Sequence, residues 1–204
     1  MFFDNIFRYH KYFDKNNFIK SIGGKVIISR NGIVNTFFID YSLFVFIARF
    51  KFFRRLFRLN RINIRELPNG DVLVIYNYKV YLIHNNNVQK KITFSFTRYV
   101  HDETISIENN RVVIGEYGNS DGKFSVGVYI SNDFGVSWFK RELQSPGIVK
   151  NILSLKFDKF SQKYWVFFGE SKEQSRIEVY NLDWSLSEII ASGNIRYRRL
   201  AHFF

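Results

Sequence analysis

Residues 131–140 read SNDFGVSWFK, and the order Ser131-x-Asp133-x-Gly135-x-Ser137-Trp138 decides how the rest of the chain is read. An acid two residues before a glycine describes a tight turn. The carboxylate accepts backbone N–H groups that the turn leaves unpaired, and the glycine takes a positive φ. Trp138 opens the following strand and supplies a large ring to bury. The flanks are β-like: VGVYIS (126–131) runs into the turn and SWFKREL (137–143) runs out of it. The stretch is therefore a hairpin turn that holds the fold, not a catalytic constellation.

The same rhythm extends in both directions. RINIRE (61–66), DVLVIYN (71–77), KVYLIH (79–84) and VQKKITFSF (88–96) form one group of β-like runs, broken by LPNG and by Asn85-Asn86-Asn87. ETISIE (103–108) and RVVIGEY (111–117), which meet at Asn109-Asn110, begin the group that the opening stretch completes. VKNILSLKF (149–157), KYWVFFGE (163–170), RIEVYNL (176–182) and SEIIAS (187–192) form the next, and IRYRRLAHFF (195–204) starts another after Gly193-Asn194. First strands therefore recur near 61, 103, 149 and 195. Four strands per period of this length predict β-propeller blades. The expectation is an all-β protein: a 1–60 N-terminal segment, then a partial propeller over 61–204 of about three four-stranded blades. Three blades and a strand do not close a ring, so missing C-terminal blades or an oligomer would have to complete it.

The motif resembles the Asp-box, or bacterial neuraminidase repeat, of sialidase-like β-propellers, with Ser131, Asp133, Gly135, Ser137 and Trp138 all in place. The third group keeps Asp183 in VYNLDWSLSE but has Asn181, Ser185 and Glu188 at other motif positions, and HNNNV of the first group has lost the box. In that family the box is structural, so the resemblance bears on fold more than on activity.

Composition agrees with β-structure. The chain has 24 Phe and 12 Tyr among 204 residues, and its alanines are confined to Ala48, Ala191 and Ala201. The absence of cysteine excludes disulfides and thiolate metal sites. His10, His84, His101 and His202 show no metal-ligand spacing, so neither a metal nor another cofactor is expected. No secretory signal is recognisable in MFFDNIFRYHKYF, and the longest uncharged apolar run, Tyr41 to Ala48, is too short to span a bilayer. The expected location is cytoplasmic. Lys and Arg number 30 against 18 Asp and Glu, a formal charge of +12. Eleven basic and three acidic residues fall within 1–60, which accounts for eight of the twelve. A basic excess suits phosphate, nucleic acid or an anionic surface, and equally a plain soluble face.

Sialidases hold the substrate carboxylate with three arginines, use an aspartic acid as acid/base, and use a Tyr–Glu pair as nucleophile. The propeller part here carries Arg61, Arg65, Arg98, Arg111, Arg141, Arg176, Arg196, Arg198 and Arg199, but nothing fixes three of them to those places. The family's F/Y-R-I-P motif is absent, with IRELP (64–68) as its nearest echo. No catalytic residue is assigned. The ligand surface expected from a propeller is the channel mouth, where loops and inner-strand ends converge. Its candidates are Arg98, Glu116, Tyr117, Glu170, Tyr197 and Arg198, aromatic and charged residues that suit acidic sugars. Ordinary solvated strand ends are the competing explanation.

Residues 43–61, LFVFIARFKFFRRLFRLNR, differ from everything after them. Wound as a helix they place Lys51, Arg54, Arg55, Arg58 and Arg61 on one side and Phe46, Phe50, Phe53 and Phe57 on another. That pattern fits a helix lying in an anionic membrane surface. It also fits a helix or strand pair packed on the propeller. RNA ranks below both, because no RNA-binding motif accompanies the basic residues, and no nucleic-acid partner is expected. Ahead of it, KVIISRNGIVNTFFID (25–40) predicts a hairpin turning at Asn31-Gly32, a partial blade that could close the ring. The Phe/Ile/Asn/Lys-rich composition resembles that of Asp-box proteins encoded with bacterial capsule genes. The expected function is non-catalytic handling or synthesis of an acidic surface polysaccharide, with sialic acid as a possible component, by a protein peripheral to the cytoplasmic membrane. A sialidase-type glycosidase and a protein-interaction scaffold are the alternatives.

Overall fold

The computed structural model describes residues 8–12, 14–22, 24–39, 62–76, 78–94, 100–118 and 122–196. These residues are all-β apart from 3-10 turns at Asp102–Thr104 and at 195–196. They form four antiparallel four-stranded sheets, each in simple chain order. The first sheet contains β1 (Arg8–Tyr12), β2 (Phe18–Ile22), β3 (Lys25–Arg30) and β4 (Ile33–Phe38). The second contains β5 (Ile62–Glu66), β6 (Val72–Tyr76), β7 (Lys79–His84) and β8 (Asn87–Thr93). The third contains β9 (Ile105–Glu108), β10 (Arg111–Gly115), β11 (Val126–Ser131) and β12 (Phe139–Gln144). The fourth contains β13 (Ile152–Asp158), β14 (Lys163–Phe168), β15 (Arg176–Tyr180) and β16 (Leu186–Ser192).

Twelve of the thirteen strands expected after residue 60 lie where the sequence places them, within a few residues at each end; of the last, 195–204, only Ile195 and Arg196 are described, in a 3-10 turn, and the rest lies outside the described residues. The N-terminal expectation falls short. The hairpin at Asn31-Gly32 forms, with Asn31 at φ 52° and Gly32 at φ 79°. Two further strands, RYHKY and FIKSI, extend it to a complete four-stranded sheet. Each is only five residues long and carries lysine, so neither stands out as an apolar run. Among the described residues there are thus three such sheets within 61–204, as expected, and a fourth ahead of them.

The chain forms two compact units, one of residues 1–66 and 70–92, the other of 67–69 and 93–204. The cause is a shared core. Ile19, Val26, Ile28 and Phe37 of the first sheet bury against Ile64, Val74, Tyr76 and Tyr81 of the second, so neither sheet is a domain alone. In the second unit Val113, Val128 and Ile130 of the third sheet meet Leu155, Tyr164, Val166 and Phe168 of the fourth in the same way.

Within each unit the first strands of consecutive sheets adjoin: β1 lies beside β5, and β9 with the 3-10 turn lies beside β13. Interior strands are buried on both faces, as in β6 and β11, where every residue is buried. Alternation is therefore lost where two sheets stack, because both faces are apolar. The fourth strands are the solvated ones, and β16 is exposed along nearly its whole length. No helix among the described residues is long and apolar enough to cross a membrane. The basic segment with Lys51, Arg54, Arg55, Arg58 and Arg61 lies outside the described residues.

The turn that opens the sequence reading is built by its own side chains. The Asp133 carboxylate accepts the Ser137 N–H at 2.9 Å, the Ser137 hydroxyl at 2.6 Å and the Ser131 hydroxyl at 2.8 Å. Ser131 Oγ in turn accepts the Gly135 N–H at 2.7 Å, and Gly135 sits at φ 82°. Partial burial works to raise the Asp133 carboxyl. The Ser137 hydroxyl and N–H, then Ser131, outweigh it and hold the group below its usual range. Trp138 is half-buried, not enclosed, and donates its ring N–H to Gly135 O at 2.9 Å. The enclosed tryptophan is Trp184 in the Asp183 turn, 3% exposed and stacked on Tyr164 at 4.6 Å.

Asp133→Ala strands the donors of that turn and should cost about 1–3 kcal/mol in urea unfolding at neutral pH. Because the folded carboxyl is depressed, its contribution is present above the ordinary carboxylate range and is lost as pH falls through it. The variant and the parent should therefore converge in stability at acid pH. Equal stability at neutral pH would remove the turn's structural role.

Candidate functional site

Tyr117 lies two residues beyond the end of β10, and Glu170 two residues beyond the end of β14. Both strands finish at the end of their unit where β9 and β13 begin, since each pairs antiparallel with its predecessor. The two sheets converge there. The Tyr117 hydroxyl donates to Glu170 Oε1 at 3.1 Å. The His101 ring, ahead of the 3-10 turn, meets Tyr117 edge-to-face at 4.5 Å. Asn151, just before β13, ties the two loops: its Oδ1 accepts the Gly118 N–H at 2.6 Å and its backbone O accepts the Gly169 N–H at 3.1 Å.

Two glycines permit the approach. A Cβ on Gly115 would stand 2.9 Å from Ile152 Cγ2, so β10 lies closer to β13 than a side chain allows. Gly169, at φ 88°, directs the chain from β14 into the loop that carries Glu170. The surrounding loops add Lys123, Lys150 and Lys172, alongside Glu173.

The six residues expected at a channel mouth are divided by the structure. Tyr117 and Glu170 are brought into contact. Glu116 is not part of that surface. It is 0% exposed, and its Oε2 accepts the Gly127 N–H at 2.9 Å and pairs with Lys140 Nζ at 3.0 Å. Alternation explains the difference, because consecutive residues leaving β10 point to opposite sides. Burial pushes the Glu116 carboxyl above its usual range, although Lys140, Gly127 and Tyr129 pull the other way. Arg98, Tyr197 and Arg198 lie outside the described residues.

Two arginines of this unit are committed elsewhere. Arg111, at the other end of β10, donates to Leu182 O at 2.7 Å and lies over the Tyr164 ring at 5.4 Å. Arg176 bonds Gln144 Oε1 and Glu178 Oε1, each at 3.3 Å. Glu178 itself is 1% exposed and also accepts Gln144 Nε2 at 2.7 Å and the Tyr180 hydroxyl. Burial, then Glu178, drives the Tyr180 hydroxyl far above its ordinary range. This network ties β12 to β15, with Glu178 and Tyr180 buried and Arg176 partly exposed. His101 and Asn151 escape a motif search, yet each precedes the first strand of a sheet, the position that a four-stranded repeat sends to the same end as Tyr117 and Glu170.

Chemically, the site offers a carboxylate acceptor aligned by a phenol, two ring edges and a backbone-bonded amide. Such a set has the chemistry to accept hydrogen bonds from hydroxyls and to pack against an apolar ring face. Among the described residues no group of His, Asp and Glu is arranged to hold a metal ion.

The class defined by this architecture is an all-β protein of propeller-like, four-stranded antiparallel sheets. No protein-family model matches the chain, and no curated protein matches it by sequence. Among solved structures it is similar to a GH43 β-1,3-galactosidase with galactodeoxynojirimycin, at 8% identity and a TM-score of 0.39 over 92% of this chain and 75% of that one.

Proposed function

We propose that this chain is a sialidase-like, Asp-box propeller protein that binds an acidic surface polysaccharide without cleaving it, in the making or handling of a bacterial capsule. The observation that carries the reading is the convergence of Tyr117, Glu170, His101 and Asn151 at one end of a two-sheet unit. The formal charge of +12 favours a polyanionic glycan over a neutral one. The basic segment 43–61 gives the same reading a second contact, an anionic membrane surface beside which such polymers are assembled.

Binding is preferred to hydrolysis because a glycosidase of the usual kind works with two carboxyl groups across the scissile bond. Of the two nominated here, Glu170 stands at the site and Glu116 is sealed in the sheet. The glycosidase reading keeps one point in its favour, the hydrogen-bonded Tyr117–Glu170 pair, which is the type of nucleophile a sialidase uses.

Titration of the protein with α2,8-linked sialic acid oligomers tests both. Saturable binding is expected, weakened about tenfold by Glu170→Gln or Tyr117→Phe, roughly the loss of one charge-assisted hydrogen bond. No free sialic acid should accumulate. Absence of binding, or binding indifferent to both substitutions, would overturn the proposal. Sialoside turnover that vanishes in Tyr117→Phe would replace it with the glycosidase.

A further inference from the structure

The first unit contains a pocket of about 450 Å³ lined by Phe18, Ile19, Ser29, Arg30, Asn31 and Glu66, with Asn17 at its rim. Pockets that hold small ligands are about 300–1,000 Å³ in volume. We infer that it is a binding site for a neutral, polyhydroxylated ligand, a hexose or a short neutral saccharide.

Its polar groups are fixed in place before any ligand arrives. The Arg30 guanidinium is clamped through one nitrogen, Nη2, which donates to Glu66 Oε1 at 3.0 Å and to Gly70 O. Among the described residues these are its hydrogen bonds, so Nη1 and Nε keep their N–H groups for a ligand, on a side chain half open to solvent. Asn31 is held in the left-handed region at φ 52° by the turn it shares with Gly32, and its N–H is tied to Asn17 Oδ1 at 3.0 Å. That leaves the Asn31 side-chain amide at the pocket as both donor and acceptor. Ser29, 2% exposed, spends its proton on Asn16 O at 2.7 Å and offers only lone pairs. Phe18 and Ile19 supply the apolar wall against which the C–H face of a sugar ring packs.

Charge and geometry select the ligand class. Arg30 already has its counter-ion in Glu66. A carboxylate or phosphate prefers the two-toothed grip of a guanidinium, and either such grip uses Nη2 together with Nη1 or Nε. With Nη2 occupied, single N–H groups remain, and these suit hydroxyl oxygens. Fixed donors, fixed acceptors and an apolar wall, with Arg30 paired to Glu66, describe a site for a neutral saccharide. The site is separate from the Tyr117–Glu170 pair and does not rest on the function proposed for it.

Saturation-transfer NMR with the methyl glycosides of glucose, galactose and mannose, and with glucuronate as the acidic counterpart, tests the inference on the full chain. At least one neutral glycoside should take up saturation, with a Kd on the order of 1 mM, as expected for so small a ligand. Asn31→Gly keeps the positive φ and removes only the amide, so it should fold normally and weaken binding about fivefold. Arg30→Ala should weaken it more. The signal should persist in the Glu170→Gln protein, which separates this site from the other. Failure of all three glycosides to saturate, binding unchanged in both pocket variants, or displacement of the neutral sugar by equimolar glucuronate would each overturn it.

Discussion

Gly169→Ala should destabilise the protein by about 3–5 kcal/mol, combining the strain of a positive φ with a backbone overlap. A Cβ at this position would lie 2.1 Å from Gln174 O and 2.2 Å from Gln174 C. The obstacle is main chain, so no rotamer change relieves it. The loop cannot simply open, because it is closed by Ser175 N to Ser171 O at 2.9 Å and Ser175 Oγ to the same oxygen at 2.7 Å. Its entry is pinned by Gly169 N to Asn151 O at 3.1 Å. Since Glu170 is the next residue, any protein that survives the substitution should also have lost the Tyr117 contact. Urea unfolding measures the first effect and acidic-glycan binding the second. Parental stability in this variant would mean that the chain leaves β14 by another path.

Lys140→Ala should cost about 3–5 kcal/mol at neutral pH, because it leaves a fully buried carboxylate without its cation. Lys140 lies on β12 and reaches Glu116 beyond the end of β10, where the same carboxylate oxygen also accepts the Gly127 N–H. The pH dependence distinguishes this cause from lost packing. Burial already raises the Glu116 carboxyl in the fold, so its contribution favours the folded state at low pH and is lost as pH rises through the raised value. Removing Lys140 raises that value further. The deficit should therefore be largest near neutrality and shrink towards the ordinary carboxylate range. Glu116→Gln in the same background should restore much of the stability at neutral pH. A small deficit that does not change with pH would show that Glu116 is solvated or neutral in the parent.

The strand repeat was legible because its punctuation is chemical. Asn31-Gly32, Asn85-Asn86 and Asn109 all adopt positive φ where the sequence marks turns, and Asp133 and Asp183 tie their turns with side-chain bonds. The first two strands were not legible, since five-residue segments with charged positions resemble loop until the sheet they complete is seen. The grouping of the sheets in pairs is hidden in the sequence for a related reason. The sequence shows where composition changes, at 43–61, but the core that joins Ile19 and Val26 to Ile64 and Val74 is a property of packing. At the site, Tyr117 and Glu170 could be nominated as residues leaving second strands. Glu116 could not be told from its neighbour, because a single step along the backbone separates a surface side chain from a sealed one. His101 and Asn151 carry no motif and become visible only when two sheets meet.

The measurement that bears most directly on the site is an amide chemical-shift titration of the full chain with an α2,8-linked sialic acid oligomer. Shifts should concentrate at Tyr117, Gly118, Asn151 and Glu170, the residues that the two loops bring together. They should disappear in Glu170→Gln while the rest of the spectrum stays folded. Shifts confined to the Asp133 and Asp183 turns at the other end of the same sheets, or none at saturating glycan, would contradict the assignment of this end as the ligand face.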